Sequence, residues 1–300
     1  MRAKRIVFPL LTLSALCGGP IGIAQTQSNP QQVTVPLSDP SRPARLSIDL
    51  LSGGITITGT NRKDMLIEAR SSDERRGRGR GGLIVDGGGV IVLRGRGRGG
   101  NDGDSDTTGL RRLTQPGGFE VEEHNNQVSV TAGPRNRGID FTIQVPARTH
   151  LKLSVLNDGP ITVENVEGEI EVNDHNESIT LTNVAGSVVA NSHNGRIKVI
   201  MTRLTADKAM AFTSFNGNVD VTLPASTKAN LKMRSDMGEI FTGFDVQSRP
   251  VASAAPQAGR GGGGFRLEVN QSIQGSVNGG GPEFELRTFN GNIYLRKGAQ

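Results

Sequence analysis

Cysteine is nearly missing from this chain of 300 residues; Cys17 is the only one. It lies in an apolar N-terminal stretch that reads as a removable leader. The mature chain is therefore expected to carry no disulfide, no thiolate metal site and no cysteine nucleophile. Tryptophan is absent and tyrosine occurs once, whereas glycine occurs 41 times. Helical periodicity is almost lacking; the best candidate, TRLTADKAMAF at 202–212, reads as a single turn or a strand. After the leader no apolar run is long enough to cross a bilayer. No G-x-S-x-G elbow, zinc motif or phosphate loop is present, the acidity around Glu164, Glu167, Glu169, Glu171 and Asp174 reads more simply as a solvated outer face than as a hydrolytic site, and no cofactor is implied.

The leader itself is well marked. Arg2, Lys4 and Arg5 precede the apolar run IVFPLLTLSAL and the segment GGPIGIA. Gly22 and Ala24 sit at the small-residue positions of a signal-peptidase site, which predicts a signal peptide over residues 1–24. Leu16 stands before Cys17 where a lipoprotein signal needs a small residue. The formal charge of +5 falls to about +2 once the three basic leader residues are removed. A general pull on nucleic acid is then weak. The expected location is outside the cytoplasm: periplasm, cell surface or extracellular space.

Residues 25–45 read as a flexible leader to the folded domain, although strand-like VTVPL lies within them. ARLSIDLLSGGITITG and DMLIEARSS then alternate apolar and polar residues, as half-buried strands do. Two low-complexity insertions, rich in arginine and glycine, interrupt the pattern at about 73–118 and 247–264.

Between them one phrase recurs. His175-Asn176, His193-Asn194, Phe215-Asn216 and Phe289-Asn290 fall at matching places, and Gly195, Gly217 and Gly291 follow the last three. Each turn leads into an alternating strand: SITL, RIKV, NVDV or NIYL. Through the middle of the chain the returns come 18 to 22 residues apart, a period that marks a solenoid. A strand residue advances roughly 3.3 Å and neighbouring strands sit about 4.8 Å apart, so some twenty residues complete one narrow lap. The predicted fold class is all-β: a β-solenoid of mostly parallel, stacked short strands over residues 46–297. Ile161, Val163, Ile170, Val172, Ile179 and Leu181 are expected inward, with Asn and Gly at corners that need a left-handed backbone. A longer echo pairs VPARTHLKLSVLNDGPI (145–161) with LPASTKANLKMRSDMGEI (223–240), as duplication of one unit would leave it.

The series GPITVENVEGEIEV, NGNVDV, LPAST…LKM…GEI and TFNGNIYLRK resembles the adhesin-like β-strand-repeat family of bacterial envelope proteins, DUF4097. The likeness runs from Leu46 to Lys297, apart from the two insertions. It implies a right-handed single-stranded β-helix, exported, with no known catalytic residues. The arginine-glycine insertions depart from that pattern.

Candidate sites are few. His175 and His193 occupy equivalent corners one strand spacing apart and, with Asp174 nearby, have the chemistry to hold a transition metal; the alternative is corner residues stacking toward Phe215. Asp102, Asp104 and Asp106 alternate as calcium ligands do, or form a solvated acidic loop. Arg75, Arg76, Arg78, Arg80, Arg94, Arg96 and Arg98 form arginine-glycine runs suited to a polyanion. The sequence thus predicts a non-enzymatic, exported adhesin or interaction scaffold. The expected partner is an envelope or extracellular one, a polysaccharide or a protein, with no specific nucleic acid, and self-association could cover an open end. A carbohydrate-active β-helix enzyme and a polyanion binder are the competing readings.

Overall fold

The computed structural model describes residues 4–6, 31–72, 119–132, 138–249 and 272–298. Among them the chain forms strands and turns, with no helix. All the strands join one mixed sheet, which folds into two rows that face each other across a single apolar core.

Most neighbours within the rows are parallel. In one row Ile55 pairs with Ile161, Ile161 with Ile179, Ile179 with Ile197, Ile197 with Val219, and Val219 with Ile293. In the other, Leu151 pairs with Ile170, Ile170 with Val188, and Met210 with Phe284. Alternate residues of each strand are buried, so strand Ile197–Leu204 begins buried, exposed, buried, half-buried. Ile161, Val163, Ile179, Leu181, Ile197 and Val199 are fully inaccessible, as their period-two spacing predicts. Each such side chain contributes about 1.5–3 kcal/mol by burial. Phe141, Phe212 and Phe284 are the bulkiest of the enclosed groups.

The ends of the sheet differ from the parallel expectation. Gln31–Pro36 and Asp64–Ser71 pair antiparallel, as do Asp64–Ser71 and Ile139–Pro146, and Phe119–His124 and Gln127–Ala132. At the opposite end Ala229–Ser235 pairs antiparallel with Ser272–Val277, which in turn pairs with Gln247–Arg249. Reversed strands thus cover the last parallel strands of both rows at the first end and of one row at the other; among the described residues Ile240–Thr242 pairs on one side only, with Ile293–Lys297. The stretch expected as a flexible leader takes part: Val35 and Leu37 are buried, because the alternation of VTVPL presents an apolar face. Strand Gln247–Arg249 likewise takes up the first residues of the second expected insertion. Residues 202–212 form no helix; they end one strand at Leu204 and open the next at Met210.

The order of the rungs is the larger surprise. Strands Ala44–Leu50 and Ile55–Thr60 lie between the level of Gln127–Pro146 and the level of Thr149–Glu164. Strands Glu283–Thr288 and Ile293–Lys297 lie between the level of Met210–Leu223 and that of Ala229–Thr242. In both places the chain steps over a rung that a distant segment fills. Both steps are the echoed Pro-Ala-x-Thr turns. Thr149 donates its hydroxyl to the Pro146 carbonyl at 2.6 Å, and Thr227 donates to the Pro224 carbonyl at 2.7 Å.

Glycine at the corners also has a different cause from the expected one. Asn165 and Asn183 adopt the left-handed backbone, with φ of 58° and 54°, whereas Asn176, Asn194 and Asn216 do not. Gly195 is required because the neighbouring rung crowds it: a Cβ there would lie 1.7 Å from the Glu177 carbonyl oxygen. Gly217 meets the Gly195 oxygen at 2.2 Å in the same way.

Candidate functional site

The recurring corner builds a continuous surface feature. Strand register places Ser192 beside Asp174, Ser214 beside Ser192 and Thr288 beside Ser214. The next residue on each rung is therefore His175, His193, Phe215 or Phe289. Their rings stack at centroid separations of 4.8, 5.0 and 4.8 Å, with planes within 4° of parallel. Leu156 and Leu51 continue the line, since Leu156 donates to the Leu50 carbonyl and His175 to the Val155 carbonyl. All six side chains are exposed. Four of the large apolar residues that meet solvent, Leu51, Leu156, Phe215 and Phe289, thus fall on one ridge.

Inside the ridge, small polar groups lock each corner. The Asp174 carboxylate accepts N–H bonds from Asn176 and Glu177 at 3.0 and 2.8 Å. Ser192 accepts from the Gly195 N–H at 2.8 Å, and Ser214 donates to the Gly195 carbonyl at 3.0 Å. Asn194 donates to Asn176 at 3.0 Å, and Asn216 to Asn194 at 2.9 Å. Such amide ladders repeat the strand spacing and hold successive corners in register.

A groove of about 460 Å³ runs beside the ridge. Leu156, His175, His193, Phe215 and Phe289 form one wall. Ser154, Asn173, Asn191, Thr213 and Arg287 contribute one polar side chain per rung to its floor. Asn191 donates to Asn173 at 3.0 Å. The hydroxyls of Ser154 and Thr213 and the guanidinium of Arg287 have no protein partner among the described residues. Asp174 is the only carboxylate on the lining, and it is turned inward with 4% of its surface exposed. Its second oxygen is buried without a partner. Burial pushes its carboxyl above the usual range, more than the two backbone N–H bonds pull it down.

The histidines are brought together, but face to face. Imidazole lone pairs lie in the ring plane, so rings 4.8 Å apart and 3° from parallel aim their nitrogens side by side and not at one point. A shared zinc needs both nitrogens within about 2.1 Å of it. Among the described residues no group of three His, Cys, Asp or Glu is placed to hold a metal ion. Asp102, Asp104 and Asp106 and the arginines from Arg75 to Arg98 lie outside the described residues. The groove floor is what sequence reading missed. Its signal was available in the residue two before each corner: Ser154, Asn173, Asn191, Thr213 and Arg287 are all polar.

A second aromatic pair lies on the other row. Phe241 stacks on Tyr294 at 5.2 Å, and the Arg296 guanidinium sits 5.3 Å from the Tyr294 ring while pairing with Asp220 at 2.8 Å.

No protein-family model matches the chain, and no curated protein matches it. Among solved structures it is similar to a putative cell adhesion protein from Clostridium sporogenes, at 10% identity and a TM-score of 0.38. That likeness covers 90% of this chain and 100% of the other. No helix among the described residues is long and apolar enough to cross a membrane.

Proposed function

We propose that this protein is an exported, non-enzymatic scaffold of the bacterial envelope, of the adhesin-like β-strand-repeat kind, which binds a partner along its aromatic corner. The reading includes a right-handed β-solenoid in which each level of the two rows is one lap. The parallel registers at 18- and 22-residue offsets support one lap per level, whichever hand the coil has. The leader, with its basic start and Ala24 cleavage site, supports export.

The observation that carries the binding reading is the ridge. Four large apolar side chains meet solvent on one line, in two pairs joined by the His175 and His193 rings, and an exposed strip of this sort marks an interaction surface. The groove beside it presents amides, hydroxyls and ring edges. Its lone carboxylate serves a turn, which suits recognition better than acid–base chemistry. The test is photocrosslinking in cells, with a photoreactive residue at Phe215 and, as control, at the exposed Phe241 on the other row. A defined adduct at 215 alone supports the reading. Equal or absent capture at both sites, or cleavage of an envelope glycan by the purified mature chain, overturns it.

A further inference from the structure

We infer that the groove binds an extended β-1,4-linked polysaccharide, laid along the rungs, with acidic sugars preferred. This rests on the proposed role of the same corner and names its ligand. The first argument is period. Polar groups line the floor one per rung, and the ring ladder measures the spacing as 4.8 to 5.0 Å. An extended β-1,4-linked pyranose chain advances by close to one strand spacing per sugar, so each sugar meets one rung, with successive sugars turning opposite edges to the floor. An extended peptide advances roughly 3.3 Å per residue, or about 6.6 Å between side chains on one face, so its side chains do not meet the rungs one for one.

The second argument is the kind of contact on offer. A peptide adding to a sheet needs free backbone donors and acceptors at an edge. Here the strands under the groove are interior: Glu167–Asp174, Ile179–Ser192 and Met210–Ser214 are each paired on both sides. What remains unspent is side-chain chemistry. The Ser154 and Thr213 hydroxyls, the outward face of the Asn191 amide and the imidazole nitrogens of His175 and His193 suit sugar hydroxyls. The wall offers ring edges, since the faces of His193 and Phe215 are covered by their neighbours. Edges in a line give an apolar strip for the C–H rim of a ribbon-like chain, and no platform for an isolated flat ring. The third argument is charge. Asp174 is turned inward and buried, so Arg287 is the one Arg, Lys, Asp or Glu side chain of the lining that meets solvent, and a carboxylate on the ligand complements it.

Calorimetry on the mature full chain tests this with β-1,4-linked mannuronate oligomers, neutral β-1,4-linked N-acetylglucosamine oligomers and α-1,4-linked glucose oligomers of two to eight units. Affinity for the β-linked series is expected to rise with length and level off at about five sugars, matching the five floor residues. The α-linked series, which coils, should not bind. N191L should weaken both β-linked series by about tenfold or more, the order expected for losing one well-placed polar contact. R287Q should weaken only the acidic series. Circular dichroism confirms that each variant is folded, and T213V serves as a second floor variant if N191L is not. Length-independent binding, equal α-linked binding or no effect of any folded floor variant overturns the inference. If no glycan binds while crosslinking from Phe215 captures one defined envelope protein, the glycan is wrong and the interaction role stands. If neither is found, both fall.

Discussion

Asn292 donates its backbone N–H to the side-chain oxygen of Asn218 at 2.8 Å, although 74 residues separate them. Its own side-chain oxygen accepts the Glu239 N–H at 2.9 Å, 53 residues away. One residue near the C-terminus thus sits between two levels that are far closer to each other in sequence. The last strands of the chain do not end the stack; they are inserted into it. Residues 44–60 are held the same way between the levels before and after Pro146.

An inserted rung predicts an abrupt response to truncation. Removing residues 272–300 deletes Phe284, Leu286, Ile293 and Leu295, all buried. It also strips one of two parallel partners from Met210–Ser214 and both the parallel and the antiparallel partner from Ala229–Ser235. The expected outcome is loss of the cooperative unfolding transition at least as far back as residue 210. A terminal rung in a simple stack would leave its neighbour folded. Limited proteolysis with mass mapping decides the case: a protected fragment ending near residue 249 argues against insertion.

The two threonines that span the inserted rungs should be equivalent in cost. Thr149 and Thr227 are both buried, and each donates to the carbonyl of the proline three residues before it. Valine keeps the shape and removes the donor, so T149V and T227V are each expected to cost about 1–3 kcal/mol. Chemical denaturation of the two variants checks this. A loss at one site with none at the other would show that the echo is sequence likeness without shared structure.

The period of the chain was legible because it depends on local alternation, which side-chain burial dictates residue by residue. Ile161, Ile179 and Ile197 could be placed inward from spacing alone, and the His175–His193–Phe215 ladder follows from counting turns. Rung order was not legible. Nothing in Glu283–Thr288 distinguishes insertion beneath Ala229–Ser235 from stacking above it, since both present the same alternating face. The Pro-Ala-x-Thr echo is visible in the sequence and reads there as duplication, because a turn that skips one level differs from one that does not only in three dimensions. The sequence suggests backbone handedness as the reason for the corner glycines, whereas the Glu177 and Gly195 carbonyls impose Gly195 and Gly217, and those arrive from the neighbouring rung.

That distinction has its own test. Alanine at Gly195 places a Cβ 1.7 Å from a backbone oxygen, so the rung must move. G195A is expected to destabilise by about 3 kcal/mol or more, among the larger single-site effects. Gly279 has a left-handed φ of 89° and open space around it, so G279A should cost only the conformational strain of about 1–2 kcal/mol. Thermal unfolding followed by circular dichroism ranks the two. If G279A is the worse variant, crowding between rungs is not what selects glycine at the corner.

Asp174 should make stability depend on pH in an unusual direction. Its carboxyl is pushed up by burial, so the folded state favours the neutral acid more than the unfolded chain does. The associated stability is fully present below the ordinary carboxylate value and is lost as pH rises through the raised one. Serine holds the same corner at Ser192 and Ser214 without a charge. D174S is therefore expected to melt higher than the parent at pH 7, with the advantage shrinking as pH falls into the acid range. A melting-temperature difference that stays constant between pH 3.5 and 7.5 would mean that the buried carboxyl is not the cause.

Phe212 and Phe215 separate the core from the ridge. Phe212 is fully buried, and F212A is expected to cost about 3–5 kcal/mol through the cavity it leaves. Phe215 is 44% exposed and stacks between His193 and Phe289. F215A should cost about 1 kcal/mol, the scale of aromatic contacts on a surface. It should nonetheless abolish capture of a partner at the corner, because the ridge is interrupted at its middle. Denaturation curves and binding measured on the same F215A sample settle the point. A large stability loss at Phe215 with unchanged binding would assign the ladder to holding the fold together, and the ridge would lose its claim as a recognition surface.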